Sequence, residues 1–297
     1  MMSKKLIYIA GPTAIGKTSI AIKLAKKLST EIISCDSRQF YKEMAIGTAV
    51  PNKSELNTIK HHFIQDRSIK DPLNVGDFER LALKVISKIF CKSDYALMVG
   101  GSGLYADSII FGLDDFPKIS INTQNKLNIL YKESGLKGLQ QLLKEKDLEY
   151  YNTVDLNNHH RLLRALSVCL ESNKPYSIFL GKSKSVRNFK TKIFILHESR
   201  ELLYKKINLR VDQMISNGLE GECKSLIKLR HLRPLQTVGY NEFFSYLDGN
   251  FSREFIIEEI KKNTRRYAKR QITWLKKYKT AEWINPKDAS ANILTNL

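Results

Sequence analysis

One octapeptide near the amino terminus constrains the fold of this chain more than any other segment. Residues 11–18 match the phosphate-loop pattern G-x-x-x-x-G-K-[ST], and an apolar run, Leu6 to Ala10, precedes them. In such a loop, backbone N–H groups and the N-terminus of the following helix cradle a phosphate chain. Lys17 would neutralise a phosphate, and the Thr18 hydroxyl would bind Mg²⁺. The residues of the expected cradle are Gly11, Pro12, Thr13, Ala14, Ile15, Gly16, Lys17 and Thr18.

Short apolar runs that alternate with helical patterns predict an α/β fold with a P-loop parallel-sheet core. Further strands are expected at Glu31 to Cys35, Tyr95 to Val99 and Lys192 to Leu196, and a helix from about Gly76 to Phe90. Residues 116–190 show little strand signal, so we expect a helical insertion domain there. The catalytic core would then comprise residues 1–115 and 191–297, with a helical region after the last strand.

The charge balance favours a polyanionic partner. Lys and Arg total 49 and Asp and Glu 30, a net charge of +19. Nucleic acid, an acidic membrane surface or a polyphosphate would each suit it, and a generally basic proteome with no nucleic-acid partner is the alternative. No run approaches a membrane span or a secretory signal core. The four cysteines lie far apart, which favours neither zinc binding nor disulfides. We expect a reduced, cytoplasmic protein.

Asp36 is the acidic residue that ends a predicted core strand, since the strand Tyr95 to Val99 runs into Gly-Gly-Ser-Gly. A carboxylate at the carboxyl edge of the sheet faces the cradled phosphates and could act as a general base. The alternative is an aspartate that only caps the following turn. The residues that follow, Ser37, Arg38 and Gln39 with two aromatics, suit recognition of an exposed base, although packed structure is equally compatible.

A basic helix is predicted near the carboxyl end, from about Arg253 to Lys279. Residues 261–279 contain nine basic residues and no acidic one. Beside a P-loop core we interpret them as a grip on a phosphate backbone. A solvated amphipathic helix and a membrane-surface helix are the alternatives. The proposed contacts are Arg265, Arg266, Lys269 and Arg270.

Together these segments resemble the tRNA dimethylallyltransferases, also called tRNA isopentenyltransferases, of bacterial type. The matching stretches keep the family's order along nearly the whole chain. They are GPTAIGKTS, ISCDSRQFYKEMAIGTAVP, HHFI, VGGSGLY, HHRLLRAL, LRVDQMISNGLEGE, VGYNE and TRRYAKRQITWLKKY. The P-loop alone is generic, whereas D-S-R-Q with G-T-A, G-G-x-G-L-Y and R-R-Y-A-K-R-Q-x-T-W are together specific.

The resemblance implies transfer of a dimethylallyl group from dimethylallyl diphosphate to the exocyclic amine of the adenosine immediately 3′ of a tRNA anticodon. The P-loop would then hold the diphosphate of the donor, with Mg²⁺ at Thr18 and a further contact from Arg210. Asp36 would take the amine proton. Ser102 stands where most members have Thr, so its hydroxyl is expected near the reacting base. Lys17 would stabilise the leaving diphosphate.

The same resemblance implies a tRNA interface. Asp36 to Gln39 would read the adenine, extruded from the anticodon loop. The insertion would clasp the anticodon stem-loop, with contacts from His160, Arg161 and Arg164. Gln124 falls where many members carry an Arg, and Val50 replaces a usual basic residue, which puts one contact each in doubt. Arg200 is a weaker phosphate candidate, and His61 and His62 are expected to be structural.

Two other functions are compatible with the residues. One is a P-loop kinase or an isopentenyltransferase acting on free adenine nucleotides, for which the insertion and the basic helix would be unnecessary. The other is a non-catalytic RNA-binding module, against which the intact Lys17, Thr18 and Asp36 argue. No heptad pattern appears, and we expect a monomer.

Overall fold

The computed structural model describes residues 4–181 and 186–297. It divides into two compact units. The first comprises Met1–Ile110 and Arg187–Leu297, and the second comprises Phe111–Val186. Among the described residues, no helix combines the length and the apolar character that crossing a bilayer requires.

Strands and helices alternate through the first unit and give way to helices in the second. The strands are β1 Lys5–Ala10, β2 Ile32–Ser34, β3 His61–His62, β4 Tyr95–Gly100, β5 Lys190–Leu196 and β6 Glu282–Ile284. The helices are α1 Lys17–Lys27, α2 Lys53–Thr58, α3 Val75–Phe90, α4 Gly103–Ile110, α5 Ile121–Lys146, α6 Leu148–Tyr151, α7 His159–Ser172, α8 Arg200–Ser216, α9 Leu219–Leu226, α10 Tyr240–Leu247, α11 Arg253–Leu275 and α12 Ala289–Thr295.

The six strands form one parallel sheet in the order β3-β2-β4-β1-β5-β6, which confirms the predicted fold class. Helices cover both faces of the sheet. Alternate residues of a strand point to opposite faces, so each strand contributes to two cores. Leu6 and Tyr8 of β1 join the core beneath α3, α9 and α10, whereas Ile7 and Ile9 join the core beneath α1, α8 and α12. The parallel arrangement brings the loops after β1, β2 and β4 to the same edge of the sheet.

The second unit has its own small core. Leu139 and Leu143 of α5 pack with Leu162 and Leu166 of α7. α5 is interrupted at Gly135, which has φ 60° and ψ −153°. The described part of this unit contains helices and turns and no strand, as its residue pattern predicts.

Two features of the carboxyl-terminal region were not predicted. The chain was expected to stay helical after β5, but β6 adds an edge strand, too short for its residue pattern to signal. The basic helix was expected to reach Lys279, but α11 ends at Leu275. Beyond that point Asp107 of α4 accepts hydrogen bonds from the Tyr278 hydroxyl (2.6 Å) and from the Lys277 ammonium. The chain beyond α11 is therefore tied to α4.

The glycine-rich turn after β4 makes room for neighbouring elements. A Cβ on Gly100 would lie 2.6 Å from Cys35 Sγ and 2.7 Å from the Cys35 carbonyl carbon. A Cβ on Gly101 would collide with Gln271, and one on Gly103 would collide with the Trp274 indole. The glycines therefore allow β2 and α11 to approach the turn closely.

We expect Gly100→Ala to lower the free energy of unfolding by about 1–3 kcal/mol, because the backbone of Cys35 cannot move aside cheaply. Gly221→Ala is the matched control. Gly221 is exposed within α9, and a Cβ at this position would meet nothing within 4 Å. That replacement should stabilise the protein by about 0.5–1 kcal/mol. Urea denaturation of both variants checks the pair, and equal effects would contradict the steric explanation.

Candidate active site

Two glycines of the loop between β1 and α1 occupy backbone positions that do not suit a larger residue. Gly16 adopts φ 95°, a left-handed conformation, immediately before the first residue of α1. A Cβ on Gly11 would lie 3.1 Å from the Leu196 carbonyl oxygen, so this position must also stay small. The Lys17 ammonium donates to the carbonyl oxygens of Gly11 (2.9 Å) and Pro12 (2.8 Å), and therefore lies across the mouth of the loop.

Two cations face one carboxylate at this loop. Burial lowers the pKa of Lys17 to about 8, and Asp36 opposes that shift while Arg210 adds to it. Burial likewise lowers the pKa of Arg210, again opposed by Asp36. Arg210 of α8 donates to Thr13 Oγ1 (3.2 Å), which fixes its guanidinium against the phosphate loop. Arg210, predicted to bind the diphosphate, therefore lies beside the phosphate loop.

Asp36 follows β2 and orders the turn after it. Its Oδ1 accepts from the Arg38 N–H (3.1 Å), and its carbonyl oxygen accepts from the Gln39 N–H (3.1 Å). Arg38 in turn donates to the carbonyl oxygens of Arg233 (3.1 Å) and Pro234 (2.9 Å). One Asp36 oxygen therefore takes part in the turn, as the structural alternative required. The carboxylate nevertheless lines cavities large enough for a ligand.

The amide of Gln39 has a defined orientation. Its Nε2 donates to the carbonyl oxygens of Thr48 (3.2 Å) and Ala49 (3.1 Å). The Ala49 carbonyl also accepts from Arg210 Nη2 (3.4 Å). With both N–H groups engaged, the amide leaves its carbonyl oxygen as the end that can accept from a ligand.

Ser102 joins the loops after β2 and β4. Its hydroxyl accepts from the Ser37 N–H (3.0 Å) and lies 3.1 Å from the Ser37 hydroxyl. The Tyr267 hydroxyl of α11 also bonds to it, and burial raises the pKa of that phenol. Gln271, one helical turn further along, accepts from the Thr13 N–H (2.9 Å) and donates to the Gly101 carbonyl (3.0 Å).

Two cavities meet at these residues. The first, of about 440 Å³, is lined by the phosphate loop, including Lys17 and Thr18. The second, of about 480 Å³, lies beside α8 and α11 and includes Tyr267. Both volumes suit a small ligand. The residues that line both cavities are Thr13, Asp36, Thr48 and Arg210.

The four basic residues predicted to contact a phosphate backbone divide between two surfaces. Arg266, Lys269, Arg270 and Lys277 line an open concave surface with Thr273 and Trp274, which we call the α11 basic surface. Arg265 instead donates to Asn208 Oδ1 of α8 (2.8 Å) and lies 5.8 Å from the Tyr204 ring centre. The four predicted contacts therefore do not form one face.

The predicted insertion-domain contacts are exposed within the second unit. Gln124 lies on α5, and His160, Arg161 and Arg164 lie on α7. The Arg164 guanidinium is 4.8 Å from the ring centre of Phe116. The structure thus presents these side chains at the surface.

Sequence reasoning did not single out Tyr267 or Gln271 as site residues. They lie four residues apart and so share one face of α11, and this spacing within the basic run was the available signal. His61, expected to be structural, lies in β3 and also lines the first cavity, whereas His62 pairs with Glu31 (2.5 Å). Arg200 is exposed and donates to the Tyr204 hydroxyl (3.1 Å).

The residues at the first cavity fit a magnesium ion that binds together with a diphosphate. Mg²⁺ keeps several waters and usually takes one or two protein oxygens beside phosphate oxygens. Thr18 supplies a hydroxyl there, and Asp36 lines the same cavity. Within the described residues, no group of three or more His, Cys, Asp or Glu side chains could hold a metal by itself.

A parallel α/β core with a phosphate loop between its first strand and its first helix defines the class of P-loop proteins. A family model described as IPP transferase matches residues 39–278. The chain is 52% identical over 292 residues to a tRNA dimethylallyltransferase of Christiangramia forsetii, with 98% of this chain and 97% of the relative covered. It is 50% identical to that of Flavobacterium psychrophilum, with 97% and 96% covered. The chain belongs to the tRNA dimethylallyltransferase family.

Solved structures agree with this assignment. The tRNA isopentenylpyrophosphate transferase of Bacillus halodurans matches with a TM-score of 0.71 and 34% identity, over 99% of this chain and 95% of that one. A eukaryotic dimethylallyltransferase described as acting on tRNA matches with a TM-score of 0.81 and 25% identity, over 99% of this chain and 78% of that one.

The charge of Lys17 gives a testable pH dependence. Because its pKa is lowered to about 8, the ammonium is charged below that pH and neutral above it. We expect the ratio of diphosphate affinity between the wild type and Lys17→Met to fall above about pH 8, by up to about tenfold per pH unit. Calorimetric titration with inorganic diphosphate across this pH range measures the two affinities. Ionisation of the diphosphate affects both affinities equally and therefore cancels in their ratio. A ratio independent of pH would contradict the assignment.

Proposed function

We propose that this chain transfers a dimethylallyl group from dimethylallyl diphosphate to the exocyclic N6 amine of an adenosine in tRNA and releases diphosphate. The acceptor would be the adenosine immediately 3′ of the anticodon in a subset of tRNAs. The observation that carries the proposal is the pair of cavities that share Asp36 and Arg210. A donor and an acceptor entering separate cavities would meet at these residues.

The phosphate loop supports binding of the donor at the first cavity. Gly11 to Thr18 would hold the diphosphate through backbone N–H groups, and Lys17 and Arg210 would neutralise it. Mg²⁺ at Thr18 would stabilise negative charge on the diphosphate as it leaves. The hydrogen bond between Arg210 and Thr13 supports this role, because it holds the guanidinium against the loop.

Asp36 would act as the general base. The C–O bond to the diphosphate breaks as the bond between N6 and the prenyl carbon forms, and the amine proton passes to the Asp36 carboxylate. The lone pair of an adenine amine is delocalised into the ring, so removal of the proton assists the attack. The Gln39 carbonyl oxygen would accept the other N6 hydrogen, which its fixed amide orientation favours.

A macromolecular acceptor is supported by the cations that surround the second cavity. Arg270 lines this cavity and also belongs to the α11 basic surface, which continues through Arg266, Lys269 and Lys277. A phosphate backbone on that surface would run to the cavity, and Trp274, 37% exposed, offers a ring for a base. The second unit, with Gln124, His160, Arg161 and Arg164, would clasp the anticodon stem-loop. We further infer that the enzyme acts in the cytoplasm as a monomer.

The deciding experiment is incubation of the purified protein with labelled dimethylallyl diphosphate and either tRNA or free AMP. We expect label in tRNA, on one adenosine after nuclease digestion and mass spectrometry, and none on AMP. Label on AMP alone would overturn the proposal in favour of a free-nucleotide transferase. Label on neither acceptor would overturn the transferase activity itself.

Asp36→Asn tests the general base. The amide keeps an oxygen that can accept from the Arg38 N–H, so the turn should survive. We expect turnover to fall by about 10²–10⁴-fold, with little change in tRNA affinity. Single-turnover rates and a filter-binding Kd measure the two quantities, and parallel losses in both would contradict the role.

The α11 basic surface is tested by replacing Arg266, Lys269 and Arg270 with Gln together. The slope of log K for tRNA against log salt should become shallower by about 0.7–0.9 for each phosphate that the variant no longer neutralises. The control replaces three exposed lysines of α1, namely Lys23, Lys26 and Lys27, and should leave the slope unchanged. Arg265→Gln is measured separately because Arg265 is bonded to α8. An unchanged slope in the triple variant would remove this surface from the interface.

A further inference from the structure

Glu222 of α9 accepts four hydrogen bonds, three of them from the loop after β2. Its Oε2 accepts from the N–H groups of Ala45 (2.9 Å) and Ile46 (2.8 Å). Its Oε1 accepts from the Gly47 N–H (2.9 Å) and from the Tyr240 hydroxyl (2.6 Å). Three successive backbone N–H groups thus point at one carboxylate, the arrangement that proteins use to bind an anion.

Tyr240 supports the same loop from the other side. It is fully buried at the start of α10. A Cβ on Gly47 would lie 2.6–2.7 Å from its ring and hydroxyl, so the loop backbone rests directly on the phenol. Burial and the neighbouring Glu222 carboxylate raise the pKa of this tyrosine, so that its hydroxyl remains a donor. The loop is therefore held by a carboxylate and a ring together.

The residues that follow this anchored segment reach the site. Thr48 and Ala49 supply the carbonyl oxygens that orient the Gln39 amide, and Ala49 also accepts from Arg210. Ala49 has φ 48°, a conformation that costs a non-glycine residue energy. Such a turn persists only where neighbouring groups stabilise it. The Ala49 N–H donates to the carbonyl oxygen of Ile46 (3.0 Å), and Ile46 is one of the residues that Glu222 anchors.

We propose that Glu222 is a positioning residue for recognition of the acceptor base. By fixing the backbone of Ala45 to Gly47, it fixes the two carbonyl oxygens that turn the Gln39 amide, and so presents the Gln39 carbonyl oxygen to the adenine amine. The inference rests on the proposed function. Glu222 itself lines neither cavity, so it acts through the loop and not on the ligand.

Glu222→Gln tests this role. The amide retains one acceptor oxygen but turns an NH₂ group toward a backbone N–H, so at least one anchoring hydrogen bond disappears. We expect kcat/KM for tRNA to fall on the order of 10²-fold, the cost of a displaced catalytic arrangement. The Kd for inorganic diphosphate should change much less, because Lys17 and its loop are not held by this carboxylate and Arg210 keeps its hydrogen bond to Thr13 when the Ala49 carbonyl moves. Tyr240→Phe keeps the ring and the three backbone bonds and should cause a smaller loss.

Glu79→Gln is the matched control for stability. Glu79 of α3 is a largely buried carboxylate that pairs with Arg187 (2.5 Å), with side chains 17% and 13% exposed, and it lines neither cavity. Its replacement should lower the melting temperature while leaving kcat/KM for tRNA unchanged at temperatures where the protein is folded. A Glu222→Gln enzyme with the kinetics of Glu79→Gln would overturn the proposal.

Hydrogen exchange supplies a measurement that does not depend on turnover. The amides of Ala45, Ile46 and Gly47 should exchange faster in Glu222→Gln than in the wild type or in Glu79→Gln. Unchanged exchange there would overturn the anchoring. If the wild type labels tRNA but the Glu222→Gln kinetics are unaltered, the inference fails and the proposed function stands. If the wild type labels no acceptor, the proposed function fails, and the role of Glu222 in positioning the base fails with it. Hydrogen exchange would then still report whether Glu222 anchors the loop.

Discussion

The hydrogen bonds of one buried amide join the elements on which the site depends. Gln271 of α11 accepts from the Thr13 N–H in the phosphate loop and donates to the Gly101 carbonyl in the turn after β4. It is 6% exposed, so both bonds are sheltered from water. A shift of α11 would leave this buried amide without its hydrogen-bond partners, which would cost free energy. The amide therefore fixes the position of α11 against the sheet. A helix that carries cations is thereby tied to the loop that carries the phosphate-binding motif.

The sequence predicts the periodic elements of this fold well and the irregular ones poorly. The apolar patterns at residues 6–10 and 76–90 predict a strand and a helix, and both are present, each beginning one residue earlier than predicted. The residues just beyond α11, Lys277 and Tyr278, bond instead to Asp107, 170 residues from Lys277 along the chain. No local pattern encodes such an interaction. The edge strand β6, three residues long, is also too short for periodicity to indicate.

The same division holds for the candidate site. The residues predicted from contiguous motifs, Gly11 to Thr18 and Asp36 to Gln39, lie together at the sheet edge because parallel strands end there. The glycine-rich turn at residues 100–103 was recognised from the residue pattern, but the role of Ser102 in it came only from the resemblance. Its glycines accommodate β2 and α11, and that steric need is visible only once the neighbours are known. Glu222 reaches the site region from a helix distant in sequence, where a single Glu carries no distinguishing pattern.

The excess of positive charge is divided between environments that attract anions in different ways. Lys17 and Arg210 are withdrawn from water beside a single carboxylate, and burial lowers the pKa of both. An anion bound beside them would offset the free-energy cost of burying their two charges. Because the groups are buried, salt would screen this interaction only weakly. Arg266, Lys269 and Arg270 remain exposed, so a polyanion on their surface gains chiefly by releasing counterions. Salt concentration therefore acts mainly on the second kind of binding, and the two sites are separable by physical means.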